Sequence, residues 1–544
     1  MSISSETQKN SRKISLFIII LCYVLLMGLV PLESFDFWTH LDMARTSLAK
    51  IIESPVHFFE LFDPAGGYGT LPQVLIYAFY QLFGAQSISL LTAICSLLIF
   101  LPFLIDCRLT RDNTLFLLFL LLAIITIRYR YLPRPELFGY IMFSWCSLTL
   151  RHYKRQPSLF PLAICLILLA TWSVLHISWT IGALFLFLQF LLHPHIDILK
   201  TRLTIRGWKL VMAISLLAAL PLVYKSGLFA LHVLDEMGAT GQLSGISEMR
   251  PIWEYPRLLF WYLLTAGIAL KLTISIPPQR CLRLIAWGLA FTCGLIIERN
   301  VALATLGMLA LAAGGGSPTW LRRWAPTGPV LASAVLFLIL GTTVLEPRIG
   351  YGVRWMLFPK TAARFVKIHD LPTKVFNNLD CGGYLRWVWN GQPQHYLDGT
   401  LGTPYKMRVH DQLIEGRQAT YLLKNEGFNT LLLQGTYFNS GRIYPIIPRL
   451  IYDPNWQLVS ADDALVFTRP APSLPRLPPQ AAWRYLLRRL ETIRKTGTEQ
   501  DHYEFSKGIC YTMLGETRLA KQAFTRGRNN HPELEAGYRY FERP

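Results

Sequence analysis

The chain holds 544 residues, of which 52% are apolar and only 16% charged, and its net charge is +19. Soluble globular domains carry about 25% charged residues, so the composition argues against an ordinary water-soluble domain and towards lipid. The basic excess is shared between the apolar first part and the remainder, and it suits anionic headgroups or phosphates better than nucleic acid.

In chain order, charge-free apolar runs occur at Ile14–Leu32, Ala85–Ile105, Asn300–Leu321 and Trp324–Leu345. Each is long enough to cross ~30 Å of hydrocarbon. The run from Gln156 to Leu192 reads as two helices hinged near His176, and shorter candidates lie at 113–127, 135–150, 210–224, 258–270 and 284–297. Together they give an expectation of about eleven spanning helices. Lysines and arginines alternate loop by loop, which puts the N-terminus in the cytoplasm and the chain after residue 346 outside it. The setting expected is a bacterial inner membrane. The first external loop, residues 33–70, is long, and Asp36–Phe62 is amphipathic enough for one or two surface helices, with Leu71–Phe83 a further interfacial one.

From about Arg354 the pattern changes. Strand-like stretches at Lys374–Asn377, Gln394–Leu397 and Asn429–Leu433 alternate with helical ones near Cys381–Asn390 and Met407–Asn425, and Trp456–Thr468 reads as a closing hairpin. Residues 347–470 are therefore expected to form a small extracytoplasmic α/β domain. A Pro-rich linker at 471–480 follows, then a helical region at 481–544. There Gly508, Tyr511, Gly515, Ala520, Phe524 and Pro532 fall at the spacing of a tetratricopeptide helix pair. Such a pair speaks of a protein partner and says nothing about chemistry. The fold class expected is thus a polytopic α-helical membrane protein with an α/β domain and a C-terminal helical hairpin.

Ionisable residues at membrane depth or at helix ends are the first candidates for chemistry. Five clusters fall on the expected external side: Glu33/Asp36/His40/Asp42, Arg128/Arg130/Arg134, His176, Glu248/Arg250 and Glu298/Arg299. The arginines suit a phosphate or pyrophosphate headgroup, because a guanidinium fork matches phosphate oxygens bidentately; ordinary snorkelling is the alternative. Asp36 follows an apolar run directly and reads as a general base or as a helix cap, two roles that coexist. His40 stands four residues later, on the same face of that helix. His176 lies between apolar helices, as a substrate contact or a hydrogen-bonded packing residue. Glu298 and Arg299 share a tight turn, as a functional pair or an interfacial salt bridge. No metal spacing, nucleotide loop or nucleophile elbow stands out, and Gly382-Gly383 after Asp380 is too little for a phosphate loop.

These residues resemble a particular pattern. Asp36-Phe-Trp-Thr-His-Leu is similar to the Asp-x-Trp-Trp-His-Leu opening of a family of uncharacterised bacterial membrane proteins laid out like GT-C glycosyltransferases, the lipid-phosphosugar-dependent class. The resemblance continues through Arg134-Pro135, Trp172…Leu175-His176, Arg299, Val375-Phe-Asn-Asn-Leu-Asp-Cys-Gly-Gly-Tyr-Leu and Tyr396-Leu-Asp-Gly, covering residues 14 to about 435. The chain departs from the pattern at Ser34, Thr39 and Thr400, where the family has Asp, Trp and Arg. The resemblance implies transfer of a sugar from a polyprenyl-phosphate donor to an acceptor hydroxyl. Asp36 would be the base, with Arg134, Arg299 and Arg130 on the donor phosphate and His40, His176 and Glu298 near substrate. It implies no required cofactor, although several members of the class use a divalent metal. Membrane lipids and a protein recruited through 481–544 are further expected partners. The rival reading is a non-enzymatic membrane scaffold working through the α/β and helical regions.

Overall fold

A computed structural model describes residues 17–62, 69–106, 114–155, 158–191, 250–276, 280–313, 335, 349–400, 403–470, 472–494 and 501–538. The expected spans at 210–224 and Trp324–Leu345, the latter apart from Val335, lie outside the described residues, as does Glu248. Two compact units emerge. The first is drawn from Met1–Leu32, Ala44–Thr343 and Ile349–Gly352, the second from Glu33–Met43, Val344–Arg348 and Val353–Pro544.

Unit 1 is helical. Its centre is helix Val301–Ala312, in which every residue is buried, as an all-round apolar helix must be. Helices Thr114–Ile127, Pro256–Ile274 and Arg280–Ile296 surround it. Thr126 and Thr265 meet through their hydroxyls at 2.8 Å, which satisfies both inside an apolar interior. Trp172 is fully buried and fills a notch that exists because Gly139 and Gly182 have no side chain to oppose its ring. The expected surface stretch appears as helix Asp36–Glu53 followed by the 3-10 turn Pro55–Phe62, then helix Thr70–Phe83. Ile52 and Val56 are 83% and 76% exposed there.

The expectation of about eleven spanning helices is corrected here. Among the described residues only Ala85–Asp106 and Pro256–Ile274 are long and apolar enough to cross a membrane, with Phe17–Gly28, Ala163–Leu175 and Trp179–Gln189 apolar but shorter. The reason is length along the axis. At 1.5 Å per residue, Thr114–Ile127 with 14 residues reaches only about 21 Å and Val301–Ala312 with 12 about 18 Å. Helix Glu136–Arg155 has 20 residues, but its last turns carry Arg151, Lys154 and Arg155. The run at 113–127 is already short, and the helix formed on it, Thr114–Ile127, is no longer than that. The described fold is therefore mainly helical with one small sheet.

That sheet belongs to unit 2. Its strands are β1 Lys374–Asn377, β2 Gln394–His395, β3 Thr430–Leu433, β4 Gln457–Ala461 and β5 Leu465–Thr468, in the order β2-β1-β3-β5-β4. β1 runs parallel to β2 and β3, whereas β5 is antiparallel to β3 and β4. Every residue of β3, β4 and β5 is buried, the polar Thr430, Gln457, Ser460 and Thr468 included, so burial does not alternate along these strands. Helix Pro479–Arg494 follows the Pro-rich stretch and seals the sheet. Tyr485 donates to the carbonyls of Gln434 and Asp463 at 3.0 and 3.1 Å, and buried Arg489 donates to Met356 O and Gln434 Oε1 at 3.1 and 2.9 Å. Beyond it, helices Tyr503–Met513 and Thr517–Asn530 form a hairpin in which Gly508 faces the Phe524 ring and Gly527 faces Phe505. Past it the chain makes a 3-10 turn, Pro532–Gly537.

Candidate functional site

In unit 1 the polar residues gather where three turns meet. Helix Thr114–Ile127 ends in the 3-10 turn Arg128–Arg130, and a bend at 132–134 leads through Pro135 into helix Glu136–Arg155. Proline suits that position, having no N–H to leave unpaired. Glu136 then stands in the first turn, where the helix dipole favours a carboxylate. Arg130 and Glu136 are 1% and 2% exposed and form a direct ion pair. Arg299 approaches the other carboxylate oxygen, with Nε at 3.6 Å, and is 21% exposed. The Glu298–Asn300 turn is tied in twice: Tyr129 donates to Glu298 O at 2.6 Å, and Glu298 N donates to Arg250 O at 2.9 Å. Three clusters far apart in sequence thus become one. Two guanidinium groups face one carboxylate, and the more accessible of them is Arg299.

Arg134 lies half-buried in the bend itself, and its backbone N–H donates to Leu132 O at 2.7 Å. His176 is buried at the junction of helices Leu159–Leu175 and Trp179–Leu191. Its backbone N–H donates to Trp172 O and its ring Nδ1 accepts from Ser178 N, both at 3.1 Å. An accepting Nδ1 is unprotonated, so a neutral ring carries its proton on Nε2. This histidine closes one helix and opens the next, a local structural task.

Asp36 and His40 belong to unit 2. Asp36 is half-buried and opens helix Asp36–Glu53, while Thr39, His40 and Asp42 are buried. The opening of this helix is cradled by two glycines. A Cβ on Gly399 would stand 2.7 Å from Asp36 Oδ1, and one on Gly383 would stand 2.5 Å from Thr39 Oγ1 and 2.8 Å from Phe35 O. A Cβ on Gly382 would strike Leu397 O. The Asp-Cys-Gly-Gly and Leu-Asp-Gly stretches are therefore close-approach sites rather than phosphate loops.

The same helix is anchored by charge. Arg386 donates to Asp42 Oδ2 at 2.6 Å and to Asp398 Oδ2 at 3.2 Å, and His395 Nε2 lies 2.7 Å from that second oxygen. Asp398 Oδ1 accepts from the amide and hydroxyl of Thr400 at 2.8 and 2.6 Å. Burial pushes the Asp398 carboxyl up, but the bonds from His395 and Thr400 outweigh it and hold the group well below the usual carboxylate range. Asp380 moves the other way. Burial lifts its carboxyl and the nearby Asp36 adds to the rise, against Arg489 and His410. This part of unit 2 lies beyond the C-terminal ends of β1 and β2, the edge at which open α/β sheets place ligands.

Sequence reasoning passed over Glu136, Arg386 and His395. The signal for Glu136 was its place directly after Arg134-Pro135, a helix start beside an arginine cluster. Arg386 and His395 carried none, because their partners lie far away in the chain or in a turn not yet formed. No family model matches the chain, and no curated protein matches it.

Proposed function

We propose that the chain is a glycosyltransferase that moves a sugar from a polyprenyl-phosphate donor to an acceptor hydroxyl at the external face of a bacterial inner membrane. The observation that supports it most is the buried Arg130–Glu136 pair holding the more accessible Arg299 beside it. Arg299 and Arg134 take the donor phosphate, and Arg130 is a positioning residue that fixes Glu136 and through it Arg299. In the transfer the acceptor oxygen attacks the anomeric carbon as its proton passes to a general base, for which Asp36 is the candidate the sequence offers, and the carbon–oxygen bond to phosphate breaks with the electron pair leaving on the phosphate. Guanidinium groups stabilise that developing charge. A polyprenyl carrier resides in a membrane, and helices Ala85–Asp106 and Pro256–Ile274 have the length and apolarity to cross one.

The test compares surface glycans of a deletion strain and its parent by mass spectrometry, with wild type, Arg299→Lys and Asp36→Asn chains restored in turn. Loss of one glycan on deletion, its return with wild type and its absence with Asp36→Asn are expected. Arg299→Lys should raise the donor concentration needed, since an ammonium cannot replace a guanidinium fork. A strain whose deletion has a phenotype that both variants fully rescue sinks the enzyme reading, and the scaffold takes its place.

A further inference from the structure

Helix Lys360–Ile368 of unit 2 buries Ala362, Ala363 and Val366 and turns its other side outward. Lys360, Arg364 and Lys367 are all exposed. Their spacing of four and three residues, at 3.6 residues per turn, sets them within about 60° of one another as a single stripe. Among the described residues no ion pair involves any of the three. Asp463 is committed to the helix N-terminus, accepting from Thr361 N and Ala362 N at 2.5 and 2.9 Å, and the exposed Asp370 lies past the end of the helix. The Lys360 ammonium rests over the Trp355 ring at 5.0 Å. Two large aliphatic side chains flank the stripe, Met356 before it and Ile368 at its end, each 63% exposed.

We infer that this face docks on an anionic phospholipid surface, the three cations meeting headgroup phosphates while Met356 and Ile368 enter the boundary with the acyl chains. Charge selects an anionic partner. The exposed Met356 and Ile368 select lipid over nucleic acid, because a phosphate backbone gives an aliphatic side chain nothing to bury against, whereas the headgroup–acyl boundary does. Each basic residue near a negatively charged leaflet strengthens attachment about fivefold, so three together give on the order of a hundredfold. This attachment is independent of the transfer reaction.

The test is hydrogen exchange of residues 360–368, read by mass spectrometry on the full chain reconstituted with phosphatidylcholine alone or with added phosphatidylglycerol. Exchange should slow about tenfold or more with the anionic lipid, and high salt should abolish the difference. The variant Lys360→Gln/Arg364→Gln/Lys367→Gln should lose it while strands β3 and β5 exchange as in wild type. Should that variant fail to fold, Lys360→Arg/Lys367→Arg, which keeps the charge, must retain the effect. Equal exchange in the two bilayers overturns the inference. So does slowing of the same size by single-stranded DNA, which lacks an apolar boundary.

Discussion

At the scale of single residues, the two acids that open helices carry the sharpest expectations. Asp36→Asn forfeits a carboxylate at a helix start, a loss of no more than about 1 kcal/mol, so its melting temperature should stay near that of wild type. Sugar transfer should nevertheless drop by about 10²–10⁴-fold, the usual contribution of a general base; near wild-type turnover in purified chain would make Asp36 a structural residue only. Glu136→Gln differs in kind. It leaves Arg130, 1% exposed, without its counter-charge, and breaking such a buried pair from one side costs about 3–5 kcal/mol. Thermal unfolding should show that loss, and Arg130→Met/Glu136→Leu should recover most of it. A Glu136→Gln chain as stable as wild type would mean that the pair does not hold the cluster. Glycines act at the same scale. Gly383→Ala should destabilise unit 2 by roughly 1–3 kcal/mol, the range for overpacking, because its Cβ would meet Thr39 Oγ1 and the Phe35 carbonyl at 2.5 and 2.8 Å. Exposed Gly427, with nothing within 4 Å of a Cβ, is a poor control because its φ of +68° strains any L residue. Gly288, which has the same open space at ordinary φ, is the better one.

Among the elements, helix Pro479–Arg494 decides where unit 2 ends. A Pro-rich stretch normally marks a place where few contacts cross, yet Trp483, Tyr485, Leu486, Arg489, Leu490 and Ile493 are all buried. Removing residues 479–544 should therefore expose the sheet and Gln434, and limited proteolysis should digest 353–470 rapidly. Removing only 501–544 should leave that segment resistant, at the cost of exposing the outer face of the sealing helix. Equal resistance of both deletions would show that the helix is an appendage. The apolar helices of unit 1 teach a related lesson. Whether a run of apolar residues crosses a bilayer depends on the length of the helix it forms, and here the turn Arg128–Arg130 follows a helix of only 14 residues.

For the molecule as a whole, the Asp42–Arg386–Asp398–His395 tie joins the opening of helix Asp36–Glu53 to the rest of unit 2. The Asp398 carboxyl lies below its ordinary range in the folded chain, so the folded state binds its proton less readily than the unfolded one. Stability from this group is then fully present above the unfolded pKa and fades as pH falls through the folded one. Asp398→Asn should melt well below wild type at neutral pH, and the gap should begin to close below about pH 4 and keep shrinking as the pH falls further. A gap that persists unchanged in acid would place the effect in the turn at Thr400 rather than in the charge.

The sequence by itself determined what local pattern controls. The strands at 374–377 and 430–433, the helical hairpin after residue 501 and the break at His176 follow from short apolar runs between helical stretches, small-residue spacing and a polar residue between apolar runs. It also singled out Arg130, Arg299 and Asp36 as charges in costly places. Only the tertiary structure decided which of them share a site. Glu136 joins Arg130 to Arg299 across more than 160 intervening residues, and Arg386 reaches Asp42 across 344; no periodicity encodes such pairings. It decided as well that Gly382, Gly383 and Gly399 make room for another segment, and that among the described residues the apolar runs do not become as many spanning helices. The physical reason is the same in each case. Composition fixes how much a residue gains by burial, but the partner that buries it, and the turn that ends its helix, are set by contacts distant in the chain.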